Sequence, residues 1–244
     1  MRRRSTTPMN CDRLAPYYET LERLAFGSCL EQMRFAFLGE VAGAERVILC
    51  GDGDGRFLAA LLRANTRVQV DFVDLSGRMI EVAERRVVNM GPSLRERVRF
   101  FAGDVREFQP QAKGYDLIAT HFFLDCFSQA EIAEVVARIG SWAAPGAQWI
   151  VSEFREAETL LGRVWTRAII RGLYAAFRVS TGLRVTRLPN YAAALAQQGY
   201  SVRIEKTKLA GLLQSSLWEL RAKRGVSRRD GLAEETREPV AIGT

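Results

Sequence analysis

The chain has 244 residues, 48% of them hydrophobic and 26% charged, which describes a globular protein with core enough to fold without staples and excludes a disordered or fibrous one. No apolar run reaches the ~18 residues that a membrane-spanning helix needs, and four scattered cysteines (Cys11, Cys29, Cys50, Cys126) with one histidine, His121, exclude a zinc site. The net charge of +7 leaves nucleic acid, an anionic substrate or an anionic membrane surface as partners, although part of it sits in the two ends, where basic residues are usually just solvated.

In chain order, residues 1–10 read as a disordered start, and residues 11–44 as one or two helices. Leu14, Leu21, Leu24, Leu30, Met33, Phe37 and Leu38 recur there at mixed three- and four-residue spacings, and Pro16 suits a helix start. Strands are expected near 46–50, 68–73, 98–102, 115–120 and 147–153, with helices near 55–64, 76–89 and 129–140. Such alternation implies a parallel sheet with helices on both faces. Pro145-Gly146 reads as the turn before the fifth strand. A helical insertion is expected over 155–198, made of a long stretch over 155–180 and a helix near 189–198 that Gly199 caps. Strands follow at 201–206 and 215–221. The domain spans 11–222, and residues 223–244 are polar, without period, and read as a disordered tail. Met1-Arg2-Arg3-Arg4 is basic, but no apolar segment of signal length follows it, so a reduced, cytoplasmic setting is expected.

The most informative stretch is Val47-Ile48-Leu49-Cys50-Gly51-Asp52-Gly53-Asp54-Gly55, followed by the amphipathic run Arg56–Arg63. It reads as strand, glycine turn, helix. Glycine serves where the backbone needs positive φ or where a ligand must touch the main chain, and the helix N-terminus beyond it offers free N–H groups. The dinucleotide pattern is G-x-G-x-x-G, whereas Gly51, Gly53 and Gly55 give G-x-G-x-G. A second strand, Arg67–Asp74, ends in an acid 23 residues after Gly51, about where a carboxylate meets ribose hydroxyls in such folds. A third, Val98–Ala102, ends in Gly103-Asp104.

These three motifs in this order resemble the class I S-adenosylmethionine-dependent methyltransferases, with the flavour of the small-molecule enzymes of quinone and natural-product biosynthesis. The resemblance covers roughly residues 45–220. It implies an α/β, Rossmann-like, doubly wound seven-stranded sheet whose last two strands form an antiparallel hairpin at the edge. It also implies S-adenosylmethionine as cofactor and methyl transfer to a small-molecule acceptor, apolar or anionic. Carried over residue by residue, Gly51, Asp52, Gly53 and Gly55 cradle the amino-acid end of the cofactor. Asp74 holds the ribose, with Leu75 and Met79 beside it. Gly103, Asp104 and Val105 serve the adenine, and Thr120 closes the fourth strand. One departure matters: the family usually has an acid two residues before the first glycine, and here that place is Leu49. Asp52 or Asp54 remains as a substitute.

The fourth strand runs into His121-Phe122-Phe123-Leu124-Asp125-Cys126-Phe127, the loop that by this resemblance faces the methyl acceptor. His121 is the candidate base, since its pKa lies near working pH, with Asp125 to hold its tautomer; the alternative is a packing role. Cys126 lacks the neighbouring proline of the pyrimidine C5 enzymes, and the Asn/Asp-Pro-Pro-aromatic motif of amino-group DNA enzymes is absent. Acceptor contacts are expected from Tyr17, Tyr18, Phe122 and Trp165. Between Thr159 and Asn190 there is no acid but six arginines, of which Arg163, Arg167 and Arg171 share a helix face. This stretch reads either as a solvated surface helix or as a lid whose apolar side, Trp165, Ile169, Leu173, Ala176 and Phe177, roofs the acceptor. Its arginines would favour an anionic substrate or lipid headgroups. Two other functions stay open: a non-catalytic, S-adenosylmethionine-binding regulator or partner subunit, on the strength of Leu49, and an RNA methyltransferase, on charge alone. The oligomeric state is left open.

Overall fold

The computed structural model describes residues 26–111, 113–182 and 185–221, so Tyr17, Tyr18 and the two ends of the chain, 1–10 and 223–244, lie outside the described residues. After a short helix α1 (Cys29–Arg34), the chain alternates strand and helix: β1 (Arg46–Cys50), α2 (Arg56–Ala64), β2 (Gln69–Asp74), α3 (Gly77–Met90), α4 (Pro92–Arg95), β3 (Val98–Ala102), β4 (Tyr115–His121), α5 (Ile132–Gly140) and β5 (Ala143–Phe154). Then come α6 (Leu160–Thr181), α7 (Tyr191–Gln197), β6 (Tyr200–Lys208) and β7 (Leu213–Leu220). One sheet results, in the order β3-β2-β1-β4-β5-β7-β6, parallel except where β7 runs antiparallel to both β5 and β6. This is the doubly wound seven-stranded sheet expected from the sequence.

The strands that read as unbroken apolar runs are the central ones, since a parallel strand covered on both faces has no polar side. Leu49, Phe57, Phe72 and Leu117 pack on one face with Phe37 and Val41, while Ile48, Ile118, Trp142 and Trp149 pack on the other under α5 and α7. The chain winds outward from β1 to β3, then returns to lay β4 against the free side of β1. The crevice between β1 and β4 is therefore the topological switch point, where open α/β sheets bind ligands beyond the strands' carboxyl ends. Register brings the relevant residues to that edge. Cys50 pairs with Val73 and Thr120, Asp74 with Ala102, and His121 with Ser152, so Gly51, Asp74, Gly103 and His121 share one rim.

Three features depart from the sequence reading. Among the described residues of the N-terminal cover, helix stops at Arg34, and residues 36–43 form successive turns. Two glycines, Gly39 and Gly43, disfavour continued helix there, while Phe37 and Val41 are drawn into the core. Pro145-Gly146 lies inside β5 rather than before it. Tyr115 pairs with Ala143 but Leu117 with Gln148, so the dipeptide is accommodated as a bulge with Gly146 at φ +76°. The inward face of α6 is Thr166, Ile170 and Tyr174, with Ile169 and Phe177 half-buried beside it, whereas Trp165 and Ala176 face outward.

Candidate active site

Gly51, Gly53 and Gly55 all take left-handed φ, at +68°, +62° and +75°. This alternation folds the chain between β1 and α2 so that Gly53 N–H donates to the Asp74 carboxylate at 3.2 Å. The second Asp74 oxygen accepts from Ser76 N–H at 2.9 Å, and the Ser76 hydroxyl caps α3 by accepting from Met79 N–H. One carboxylate thus ties the glycine turn to the end of β2. A Cβ on Gly53 would find only the Met79 sulfur at 4.0 Å, so the main chain there is free to be approached. A Cβ on Gly55 would strike Ala83 Cβ at 2.7 Å, so this glycine serves the close crossing of α2 and α3. Leu75 leaves apolar surface at the rim, while Met79 and Val105 are buried beneath it.

The two aspartates between the glycines are engaged internally. Asp52 is buried, accepts from Leu58 N–H at 3.1 Å, and lies 3.4 Å from the guanidinium of Arg34, which also reaches the Asp52 carbonyl. Burial pushes the Asp52 carboxyl up to about 7, with Arg34 and the Leu58 N–H pulling the other way. Asp54 binds Arg56 and Arg86, both at 3.1 Å, and so clamps α2 to α3. Leu49, at the family's usual acid position, is a core leucine packed with Phe57 and Phe72. Asp104 is gripped by Arg106, which also reaches Glu131 at 2.9 Å. Burial raises the Asp104 carboxyl, but the Arg106 hydrogen bonds outweigh it and hold the group below the usual range. The Thr120 hydroxyl lies within the sheet, accepting from Trp149 Nε1 at 3.0 Å, so it faces the core rather than the rim.

At the end of β4 the backbone is strained. Phe122 takes φ +53°, a conformation that costs a non-glycine residue about 1–2 kcal/mol. Such outliers cluster at functional sites. The turn aims Phe122 toward Phe154 and lays Phe123 on the glycine loop. His121 is buried against Phe57, ring centroids 4.5 Å apart. Its Nδ1 lies 2.9 Å from Ser152 Oγ, which donates to Met33 O at 3.3 Å and touches Ser215 Oγ. If the serine proton goes to Met33 O, His121 Nδ1 carries the hydrogen and Nε2 the lone pair. Nε2 has no hydrogen-bond partner among the described residues. Burial, then the charge of Arg34, pushes His121 well below the usual histidine range, so the ring is neutral. Asp125 is not its orienting partner: the Asp125 carboxylate accepts from Cys126 Sγ at 3.6 Å, while His121 Nδ1 meets Ser152.

Asp125 instead neighbours Glu153, a residue that the sequence reading missed. Glu153 is the last acid of β5, buried, and its Oε1 accepts from Phe123 N–H at 3.1 Å and Leu124 N–H at 2.7 Å. Its other oxygen has no partner among the described residues. Burial raises Glu153 well above the carboxylate range, reinforced by Asp125, and burial pushes Asp125 up to about 6. The Tyr174 hydroxyl, descending from α6, donates to the Asp125 carbonyl at 3.1 Å. Around them Leu30, Met33, Phe122, Phe154, Ile170 and Tyr174 form an apolar roof in which α1 and α6 meet. Trp165 stands outside that roof, half-exposed. A lone acid near an apolar strand end, Val151-Ser152-Glu153-Phe154, was the available sequence signal for Glu153; for Arg34, beside Glu31 and Gln32 in α1, there was none.

Residues 50–148 match the family model described as "Methyltransferase domain". A malonyl-[acyl-carrier protein] O-methyltransferase of Halalkalibacterium halodurans is 32% identical over 107 residues, covering 43% of this chain and 37% of that protein. Polyamine aminopropyltransferase 2 of Bacillus anthracis is 28% identical over 153 residues, covering 57% and 42%. The chain thus spans less than half the length of either relative. Among solved structures, the N-methyltransferase NodS from Bradyrhizobium japonicum, in complex with S-adenosyl-L-homocysteine, superposes with a TM-score of 0.58 at 15% identity, covering 83% of this chain and 97% of that one. At that identity the likeness speaks for the fold alone. Sequence match and sheet topology agree: residues 50–148 are similar to a methyltransferase domain, and the sheet has the class I methyltransferase fold.

Proposed function

We propose that this protein transfers the methyl group of S-adenosylmethionine to a small-molecule acceptor. One observation carries the reading: three left-handed glycines at the switch point, tied by Gly53 N–H to the Asp74 carboxylate. Gly53 lets the main chain approach the cofactor's amino-acid end, while Gly51 makes room for the Phe123 ring that closes the turn. Asp74 meets the ribose hydroxyls, with Leu75 as an apolar platform beside it, and Gly103 with Val105 lies toward the base. Bound there, the cofactor supplies an electrophilic methyl on a sulfonium. The chain's own part is to align the acceptor, exclude water and take up a proton. The proposed proton acceptor is His121 Nε2, which has no hydrogen-bond partner among the described residues, while Nδ1 lies 2.9 Å from Ser152 Oγ. The apolar roof of α1 and α6 excludes water over the ends of β4 and β5.

A second reading of the base has its own observation, the partnerless oxygen of Glu153 beside Asp125. A buried acid pair there suits an amino acceptor better than a neutral one. That would sit well with the aminopropyltransferase relative, whose name denotes chemistry on amines.

Calorimetric titration with S-adenosylmethionine and S-adenosyl-L-homocysteine, beside an Asp74→Ala variant, tests the central proposal. Micromolar binding that the variant weakens at least tenfold is the expected result, a loss of about 1.4 kcal/mol. No binding by the native chain makes the core leucine at position 49 a lesion and assigns the protein a non-catalytic role.

A further inference from the structure

Helix α6 is amphipathic in an unusual sense. Its buried side, Thr166, Ile170 and Tyr174, roofs the site. Its outward side is also apolar: Leu160 is 80% exposed, Leu161 88%, Val164 72% and Trp165 47%. Ala168, Gly172 and Ala175 continue this stripe and are likewise exposed. Monomeric proteins rarely leave a contiguous apolar patch open without a partner for it.

The charge along its border indicates the partner. Arg163, Arg167 and Arg171 follow each other at four-residue steps beside the stripe, all exposed, and Arg178 continues the row. Arg167 pairs with Glu156 at 2.8 Å. Below them, a cleft of about 350 Å³ between α6 and residues 186–188 is lined by Arg167, Arg171 and Arg187, with Glu156 the one acid. No acidic residue occurs from Thr159 to Asn190.

We infer that this face of α6 docks on an anionic lipid surface, the apolar stripe entering the headgroup boundary and the arginine cleft taking a lipid phosphate. A surface helix of this make-up, with Trp and Leu on one face and arginines beside it, is built for that interface. A second copy of the chain is the poorer occupant. Pairing α6 with itself would set one row of arginines against another with no acid in the helix to offset them, whereas an anionic bilayer satisfies stripe and arginines together. The inference is independent of the acceptor chemistry.

Trp165 makes the test direct. Of the four tryptophans, Trp142, Trp149 and Trp218 are buried, so a change in emission on docking reports Trp165. The full chain is mixed with vesicles of phosphatidylcholine alone, or of equimolar phosphatidylcholine and phosphatidylglycerol. A blue shift and protection from acrylamide quenching are expected with the anionic vesicles only. Arg163→Gln and Arg171→Gln should each weaken binding roughly fivefold. Leu161→Asp with Val164→Asp, both at solvent-exposed positions, should abolish it without altering the circular dichroism spectrum. Unchanged emission with anionic vesicles overturns the inference. So does sedimentation showing that the protein self-associates through this face without lipid, with the Leu161→Asp, Val164→Asp variant monomeric.

Discussion

The ring of Phe123 lies against the main chain of Gly51, so that a Cβ on that glycine would stand 2.1 Å from Phe123 Cδ2. The turn after β1 and the turn after β4 are thereby packed as one unit. Both take positive φ, freely at Gly51 and with strain at Phe122. The two sides of the switch point cannot move independently, and a change at one should be felt at the other.

Gly51→Ala should therefore lose both cofactor binding and stability. The left-handed backbone alone costs about 1–2 kcal/mol, and displacement of the Phe123 ring adds to it. Phe123→Ala removes the clash but not the backbone cost. The double variant should be less destabilised than the sum of the single ones, by about 1 kcal/mol. Urea denaturation of the four proteins measures this, and strict additivity would show that the two residues are not coupled.

Asp52 gives a pH signature. Its folded-state carboxyl titrates at about 7 against an ordinary value of 3.8, so the folded chain holds the extra proton between those values. Stability from this group is greatest at the acid end of the window and falls as pH rises from about 4 to about 7, then levels off. Asp125, at about 6, and Glu153 act in the same direction. Asp52→Asn should flatten the slope without removing it. A thermal-unfolding series from pH 4 to pH 8 in which the variant keeps the native slope would contradict the buried, protonated state.

The two candidate bases separate kinetically, once an acceptor is in hand. His121→Ala should cut turnover about 100-fold or more while leaving S-adenosyl-L-homocysteine affinity nearly unchanged. Glu153→Gln keeps an oxygen for the Phe123 and Leu124 N–H groups, so the loop should hold its shape. Full activity in that variant confines Glu153 to positioning the loop; a loss of about 100-fold in it, with His121→Ala fully active, moves the base to the carboxylate.

Gly55→Ala tests packing apart from chemistry. The new methyl would meet Ala83 Cβ at 2.7 Å and the Ala83 Cα at 3.0 Å, at φ +75°. Destabilisation of about 2–4 kcal/mol is expected, from backbone strain plus overpacking. Ala83→Gly should recover part of it, as read from the unfolding midpoint.

The elements legible beforehand were those with strong periodicity or punctuation. Leu49 and Ile118 sit in apolar runs bounded by glycine or acid, and Phe72 in a β-rich run that ends in Asp74, so β1, β2 and β4 were visible, as was the G-x-G-x-G turn. The α6 stretch was visible as helix but not in orientation. Both of its sides are apolar, and a 3.6-residue period cannot say which one meets the core; Trp165 was placed inward for that reason and lies outward. Thr120 looked like a rim residue because strand ends cannot be fixed to one position, and one position reverses the side-chain face. Arg34 and Glu153 act through partners 18 and 29–30 residues away, Asp52 on one hand and Phe123 and Leu124 on the other. Local pattern carries no trace of contacts at that range.

The insertion of β7 between β5 and β6 has a consequence for assembly. Ser152, which holds His121, is itself touched by Ser215 from β7, 63 positions further along the chain. On the assignments proposed above, the residues of the cofactor side, from β1 to β4, all precede β5. The proposed base side is closed only when residues 213–220 pair beside a twelve-residue strand whose outer edge is otherwise open. Pairing over such a separation is slow to form. A chain emerging from synthesis would then gain the means to hold its cofactor well before it gains the means to use it, and a break in the late strand would yield a binder without a catalyst.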